Sequence, residues 1–208
     1  MYFQSIEGRV SGLIGYVLCD SEERVAVVVD PPPSETNVVL AFLGEHRLKL
    51  HKVLRTHAHE ADADHCGGLC ALVGAESGCC GSAAAKAGAA HVVFGSEVLS
   101  VLRTPGHTSD SVSYLWRDRL ICGDLFDFGS LCAHDSQSDP AQAFDSLTRR
   151  IFILPDTTLV FPAHPMRGRR VATLAELKMR YMPLLNRGRD EFITSMLQTR
   201  GGGRRPAH

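Results

Sequence analysis

The sequence predicts a mixed α/β domain with two similar halves, in which sheets carry helices on their outer sides. Short apolar or alternating runs typical of strands recur along the chain between segments of helical character. Several of these runs end directly before a histidine or an aspartate. With 208 residues, 44% of them hydrophobic and 22% charged, the chain has the size and composition of one globular domain with a substantial core.

The strand and helix assignments follow from periodicity and from the residues that break it. Pro31–Ser34 ends the first pair of strands, and Arg117-Asp118 forms the turn of a hairpin. Residues 78–90 receive no assignment, and residues 126–140 predict a polar loop that covers the site. The predicted strands span 11–19, 24–29, 48–54, 97–103, 111–116, 120–122 and 158–161. The predicted helices span 35–43, 66–73, 141–150, 172–181 and 191–197.

The segment Thr56–His65 concentrates metal-binding side chains. It contains three imidazoles and three carboxylates within ten residues, directly after a predicted strand. Alternate residues of an extended segment point to the same side, so His57 and His59 could bind one cation. Imidazole suits zinc and iron. Taken alone, the segment could also be a solvated polar loop.

Three further apolar runs end in a metal-binding residue. They lead to His107 in Thr104–Thr108, to Asp124 after Gly123, and to His164 after Pro162-Ala163. Each is, by itself, typical of a turn or a helix cap. Together they predict a preorganised metal site built from distant strand ends.

The order of these motifs resembles the metallo-β-lactamase superfamily, from about Gly12 to about Met196. Its five motifs fall at Asp30, at His57 to His65, at His107, at Asp124 and at His164. The resemblance implies a four-layer αββα sandwich. Within the superfamily the chain is most similar to the persulfide dioxygenase branch, which is close to glyoxalase II.

The resemblance to that branch implies a mononuclear non-haem iron enzyme. One Fe(II) per chain would be held by His57, His107 and Asp124, and glutathione persulfide would be oxidised with O2 to sulfite and glutathione. The catalytic candidates His59 and Asp64 would orient the ligands and move a proton. A second metal site, or supporting groups around the first, would comprise His59, Asp64, His65 and His164.

The chain departs from the family pattern between the second histidine and the aspartate. The family has one residue there, whereas Glu60 to Ala63 occupy this interval here. Either a bulge absorbs the extra residues and Asp64 and His65 keep their places, or Asp62 enters the site. The departure weakens the second metal position more than the first.

Two alternatives to the dioxygenase remain. One is a zinc hydrolase with one or two Zn(II) ions that acts on a thioester, such as a glutathione thioester, a lactone or a β-lactam. The other is a degenerate member of the fold that binds metal without turnover. The chain after His164 is short for the helical domain of glyoxalase II.

The expected partner is a small glutathione-based thiol or persulfide. Arg167 and Lys178 are candidates for binding its carboxylates, with Arg169 and Arg170 as further cations. Each could equally be a solvated surface cation. The 22 basic and 23 acidic residues nearly balance, so no nucleic-acid partner is expected.

The sequence also gives expectations for the cellular location, the oligomeric state and the terminal segments. No apolar run approaches the roughly 20 residues of a membrane span, and seven cysteines without a Cys-x-x-Cys pair favour a reducing intracellular compartment, mitochondrial or cytoplasmic. The oligomeric state is open, a homodimer included. We expect residues 1–9 to be a remnant of an expression tag, 10–198 to be the domain and 199–208 to be a flexible tail.

Overall fold

Two facing sheets with helices on their outer sides form the fold. The computed structural model describes residues 2–57, 69, 91–126, 138–165 and 169–202, the last four by their backbone alone. The arrangement is a four-layer αββα sandwich, which confirms the fold class implied by the resemblance. None of the described helices is both long enough and apolar enough to cross a membrane.

The first sheet has four strands in the order β1-β2-β3-β4. Strand β3 is antiparallel to β2 and parallel to β4. The parallel connection passes through a short 3-10 turn at Pro33–Glu35 and helix α1 at Thr36–Glu45. The strands are β1 Tyr2–Glu7, β2 Ile14–Asp20, β3 Val25–Val29 and β4 Lys49–Leu54.

The second sheet has six strands in the order β10-β9-β8-β7-β6-β5. Among its described strands, β8 and β9 are the one parallel pair, and the chain between them contains helix α2 and a π-helical turn. Two further helices follow β10. The strands are β5 His91–Phe94, β6 Glu97–Arg103, β7 Val112–Trp116, β8 Arg119–Gly123, β9 Leu159–Pro162 and β10 Ala172–Thr173. The helical segments are α2 Pro140–Ser146, the π-helical turn Leu147–Ile151, α3 Leu174–Leu185 and α4 Arg189–Gly202.

Alternation along the strands produces the layers. In β2, Tyr16 and Leu18 pack between the sheets, whereas Val17 and Cys19 face α1. Neighbouring residues of a strand point to opposite faces, so a strand apolar at every position must be covered on both sides. In β8, likewise, Ile121 joins the core between the sheets while its neighbours join the core beneath the helices.

The ends of five strands lie along one edge of the sandwich. Strand β6 is antiparallel to β7, which is antiparallel to β8, so β6, β8 and β9 run in the same sense. In the first sheet β3 and β4 run parallel. Ligand sites form where strands with a common direction end, because the residues that follow them are brought together.

Most predicted elements are confirmed, with differences at their ends. Helix 141–150 becomes α2 followed by the wider π-helical turn, and helix 172–181 begins two residues later because Thr173 caps it. Helix α4 continues to Gly202, four residues into the predicted tail. The predicted helix 66–73, apart from residue 69, and most of the predicted loop 126–140 lie outside the described residues.

The N-terminal residues 2–7 pair with the first sheet, and the expectation that residues 1–9 are a remnant of an expression tag stays a prediction. Tyr2–Glu7 pairs with β2 from Tyr2↔Cys19 to Glu7↔Ile14. Ile6 is buried in the core beneath α1, and Phe3 packs against the core between the sheets. An extended segment can add backbone hydrogen bonds to the edge of a sheet and bury apolar side chains on both of its faces, here Phe3 on one and Ile6 on the other.

This placement predicts that Ile6→Ala lowers the free energy of unfolding by about 2–4 kcal/mol, the usual cost of truncating a buried Ile. Urea denaturation measures the change. Ser5→Ala is the matched control, because Ser5 is exposed on the same strand. Equal stabilities of the two variants would contradict the assignment of β1 to the core.

Candidate metal centre

His57, His107 and Asp124 converge at the edge where the strands end. His57 Nε2 lies 3.6 Å and His107 Nε2 3.8 Å from Asp124 Oδ2. The two imidazole planes are nearly perpendicular, with ring centroids 4.9 Å apart. His57 is buried, and His107 and Asp124 are largely covered. Three potential ligand atoms from three elements therefore face one small volume.

The spacing of these atoms fits a single metal ion. Ligand bonds of about 2.0–2.2 Å to nitrogen and oxygen place two ligands of one ion at most roughly 4.4 Å apart. Both distances to Asp124 lie within that limit. One ligand atom from each residue lies within 4.8 Å of the others. A cation could therefore be bound after a small inward movement of the side chains.

A hydrogen-bonded chain orients the ring of His57. Thr56 Oγ1 donates to Asp30 Oδ2 at 2.7 Å and lies 2.9 Å from His57 Nδ1. The hydroxyl has one proton, and it is given to Asp30, so Nδ1 of His57 must donate to Oγ1. The lone pair of the neutral ring is then on Nε2, the atom that faces Asp124. Fixing the tautomer through the second ring nitrogen is a common way to prepare a histidine ligand.

The backbone at Asp30 is held in an uncommon conformation. Its φ of 47° lies in the left-handed region, which Asp tolerates better than most residues. Its Oδ1 also accepts from the Thr56 backbone N–H at 2.8 Å. Burial raises the pKa of Asp30 to about 6, against the lowering effect of the bonds from Thr56. At neutral pH the carboxylate is ionised and accepts both bonds.

Helix α2 packs directly against the segment that carries His107. A Cβ on Gly106 would lie 2.7 Å from Ala143 Cα, so only glycine allows this approach. Ser146 Oγ donates to the Pro105 carbonyl at 2.7 Å. Asp139 N donates to the Gly106 carbonyl at 2.8 Å. The position of His107 is therefore set by a helix distant in sequence.

Asp124 is the residue on which the cluster converges. His164 Nδ1 lies 2.9 Å from Asp124 Oδ1, which leaves Oδ2 directed towards His57 and His107. Burial alone would raise the pKa of Asp124, but the hydrogen bond from His164 and the electrostatic interactions with His164, His57 and His107 lower it below the ordinary value. The carboxylate is ionised and available to a cation.

Gly123 allows β8 to end against Thr56. Its φ of 58° is left-handed, and a Cβ there would lie 2.5 Å from Thr56 Oγ1. Thr56 therefore touches both the chain leading to Asp124 and the ring of His57.

The structure brings some predicted site residues together and separates others. His57, His107, Asp124 and His164 form one cluster, with His164 half exposed. Lys178 does not join this cluster. Its ammonium contacts Asp156 at 2.6 Å and the Leu154 carbonyl at 3.1 Å. Both partners precede β9, whereas His164 follows β9. Four predicted site residues lie outside the described part of the chain: His59, Asp64, His65 and Arg167.

The further basic candidates are engaged in ion pairs. Arg169 Nη2 lies 3.0 Å from both carboxylate oxygens of Glu176, and Arg170 pairs with Glu7.

The sequence alone predicted no role for Thr56 or Gly123. A hydroxyl residue directly before the first histidine was the available signal for Thr56.

Comparison with curated proteins identifies two kinds of relative, whereas no protein-family model matches the chain. The chain is 34% identical over 182 residues to the hydroxyacylglutathione hydrolase of Shewanella oneidensis, covering 78% of this chain and 63% of that protein. It is 30% identical over 193 residues to the mitochondrial persulfide dioxygenase ETHE1 of Mus musculus, covering 87% of this chain and 74% of that protein. The chain thus spans less than two thirds of the length of the hydrolase.

Comparison with solved structures identifies a persulfide dioxygenase relative and further proteins with the same fold. The ETHE1 protein of Myxococcus xanthus is 34% identical and superimposes with a TM-score of 0.81, covering 96% of this chain and 91% of that chain. A metallo-β-lactamase of Staphylococcus aureus superimposes with a TM-score of 0.78 at 20% identity, covering 99% and 68%, which shows a common fold alone.

The hydrogen-bonded chain to His57 predicts that Thr56→Val weakens metal affinity by about 10–100-fold, the usual effect of removing a group that orients a ligand. Valine keeps the branched shape beside Gly123 but has no hydroxyl. Thr56→Ser keeps the hydroxyl and should bind nearly as well as the wild type. Competition with a chelator measures affinity, and ¹⁵N NMR of His57 in the metal-free protein reports the tautomer. Tighter binding by the valine variant than by the serine variant would contradict the role of the hydroxyl.

The left-handed backbone and the contact with Thr56 predict that Gly123→Ala destabilises the protein by about 2 kcal/mol or more. Gly44→Ala is the control, because a Cβ at that helical position meets nothing within 4 Å and alanine favours a helix. Urea unfolding of both variants gives the comparison. If the two differ little from the wild type, Gly123 does not have the role described.

Proposed function

The chain belongs to the metallo-β-lactamase-fold family that includes hydroxyacylglutathione hydrolases and persulfide dioxygenases, and we propose that it is a mononuclear iron dioxygenase. Its substrate would be glutathione persulfide. The terminal sulfur would lose four electrons, which reduce O2. Together with one water molecule, the reaction gives glutathione and sulfite. The observation that carries the proposal is the set of two imidazoles and one carboxylate at a single small volume.

This ligand set suits non-haem Fe(II). Two histidines and one carboxylate leave coordination positions open, and iron bound there would supply the redox chemistry that oxygen activation requires. The ligands come from the ends of β4 and β8 and from the loop after β6, so neither sheet alone provides the set. Similarity to the dioxygenases also extends over more of their length than similarity to the hydrolase.

The remaining described residues would position the ligands and hold protons. Thr56 keeps a proton on Nδ1 of His57, and Asp30 keeps the Thr56 hydroxyl oriented. His164 holds a proton at Oδ1 of Asp124 and is exposed enough to exchange it with solvent. His59 and Asp64 remain predicted catalytic groups, and Arg167 a predicted contact for the glutathione carboxylates. Lys178 would reach substrate only by leaving Asp156.

A zinc hydrolase of a glutathione thioester is the second candidate, and one observation favours it. Asp124 presents Oδ2 to His57 and His107 but Oδ1 to His164. Asp124 with His57 and His107 would hold one zinc ion, and Asp124 with His164 would help to hold a second; the pair would supply the activated water that hydrolysis uses. His65 and Asp64 are the predicted further ligands of that second ion.

The cellular setting belongs to the same proposal. Among the described cysteines, Cys19 and Cys122 are buried and form no disulfide. Free buried thiols are common in reducing compartments. We therefore assign the activity to such a compartment, where a thiol-based substrate would also persist.

Oxygen uptake on addition of glutathione persulfide tests the function. The iron-loaded chain should consume O2 and release sulfite, and His107→Ala should reduce both to background because one of three ligands is lost. His91→Ala is the matched control, since His91 is exposed on the edge strand β5. Metal analysis should find about one iron per chain, as expected for a mononuclear ligand set.

Two other results would contradict the dioxygenase proposal. Cleavage of S-lactoylglutathione without oxygen consumption, with about two zinc ions per chain, would establish the hydrolase instead. Bound metal without either activity would indicate the degenerate member of the fold.

A further inference from the structure

A basic cavity lies on the outer side of the second sheet, beside the segment that carries His107. Its volume is about 410 Å³. Strand β6 contributes Arg103 at its end, Pro105 follows in the loop, and α2 with the π-helical turn forms the other wall. The lining includes Arg103, Pro105, Gln142, Asp145, Arg149 and Arg150.

The charges of this cavity do not balance. Among the described residues that line it, Asp145 is the one acidic residue, against three arginines. Its carboxylate lies 3.5 Å from Arg149 and 3.6 Å from Arg189, so two cations already share it. In the part of the chain that the structure describes, Arg103 and Arg150 form no ion pair. The cavity therefore carries excess positive charge that a bound anion could neutralise.

The π-helical turn accounts for the placement of two of these arginines. The bond from Phe152 N–H to the Leu147 carbonyl, 2.8 Å, closes the wide turn. Leu147 and Ile151 are fully buried in the core beneath the helices. Arg149 and Arg150 lie between these two anchors and are exposed. Burying the apolar pair thus directs the basic pair to the surface, where Arg103 approaches from the other wall.

We infer that this cavity is a binding site for a small oxyanion, a carboxylate or a phosphate, bound chiefly by Arg103 and Arg150. Guanidinium groups present pairs of N–H donors whose spacing matches the oxygens of both groups. The site is distinct from the metal centre and does not require the proposed dioxygenase activity.

The anion site and the segment that carries His107 share two structural elements. An anion bound by Arg103 and Arg150 joins the end of β6 to the π-helical turn. The same two walls hold the His107 segment, through the bond from Ser146 Oγ to the Pro105 carbonyl and the contact of Gly106 with Ala143. Occupancy would therefore stabilise the loop between Arg103 and His107.

Calorimetric titration of the metal-loaded 208-residue chain tests the inference, with inorganic phosphate, citrate and reduced glutathione as separate probes. At least one probe should bind saturably at low ionic strength, and added NaCl should weaken the binding. Phosphate alone would identify a phosphate ligand, and citrate or glutathione alone a carboxylate ligand. Each result supports the site if the arginine variants weaken the binding. No saturable binding by any of the three overturns it.

Variants of the two arginines locate the binding. Arg103→Gln and Arg150→Gln should each weaken it about tenfold or more, because hydrogen bonds to charged groups are lost. The lysine variants keep the charge but not the paired donors, so they should fall between glutamine variants and wild type. Arg47→Gln is the matched control: it removes an exposed arginine from the turn before β4.

Two results would contradict this location. Undiminished binding by the Arg103→Gln/Arg150→Gln double variant would place the anion elsewhere, such as at the metal. An equal loss of anion affinity in Arg47→Gln would show that the effect comes from the net charge of the protein and not from the cavity. Thermal unfolding of each variant identifies any that fail to fold, and the lysine variants then provide the comparison.

Discussion

The metal-ligand cluster depends on two separate sheets being held in fixed register at one edge. Two backbone bonds cross between them there, from Ile14 N–H to the Ala163 carbonyl at 2.6 Å and from Val112 N–H to the Thr56 carbonyl at 2.7 Å. Tyr16 and Tyr114 donate their hydroxyls to the carbonyls of Pro162 and Arg55. Burial raises the pKa of Tyr16 far above its ordinary value, so its phenol remains a donor. A shift of either sheet would break several bonds at once and separate the ligands.

The cluster combines one negative charge with three imidazoles, and the fold holds its two central rings by different means. A hydrogen-bonded chain through Thr56 orients His57, whereas close packing of α2 on Gly106 positions the segment of His107. Asp124 keeps its charge although it is largely covered, because the surrounding histidines offset the cost of burial. A bound cation would perform the same electrostatic role more strongly. His57, His107 and Asp124 thus form a candidate cation site.

Local pattern predicted the strands that carry the ligands, because apolar alternation and glycine or proline breaks are properties of short segments. It did not reveal β1, whose pairing partner is β2 and whose burial depends on the whole sandwich. The family resemblance, not local pattern, gave Lys178 as a substrate contact, which stays a prediction; its ammonium contacts Asp156, which precedes β9. The direction of a surface side chain depends on neighbours that a linear pattern does not contain.

By itself the sequence determined the fold class and the identity of the ligand types, since residue order sets which side chains follow which strand. Only the tertiary structure decided that His57, His107 and Asp124 face one volume, and that His164 approaches the second oxygen of Asp124. It alone also revealed that Asp30 and Thr56 set the tautomer of His57, and that three arginines line one cavity. The reason is physical: distances between residues far apart in the chain depend on how sheets and helices pack, and packing is a property of the complete fold.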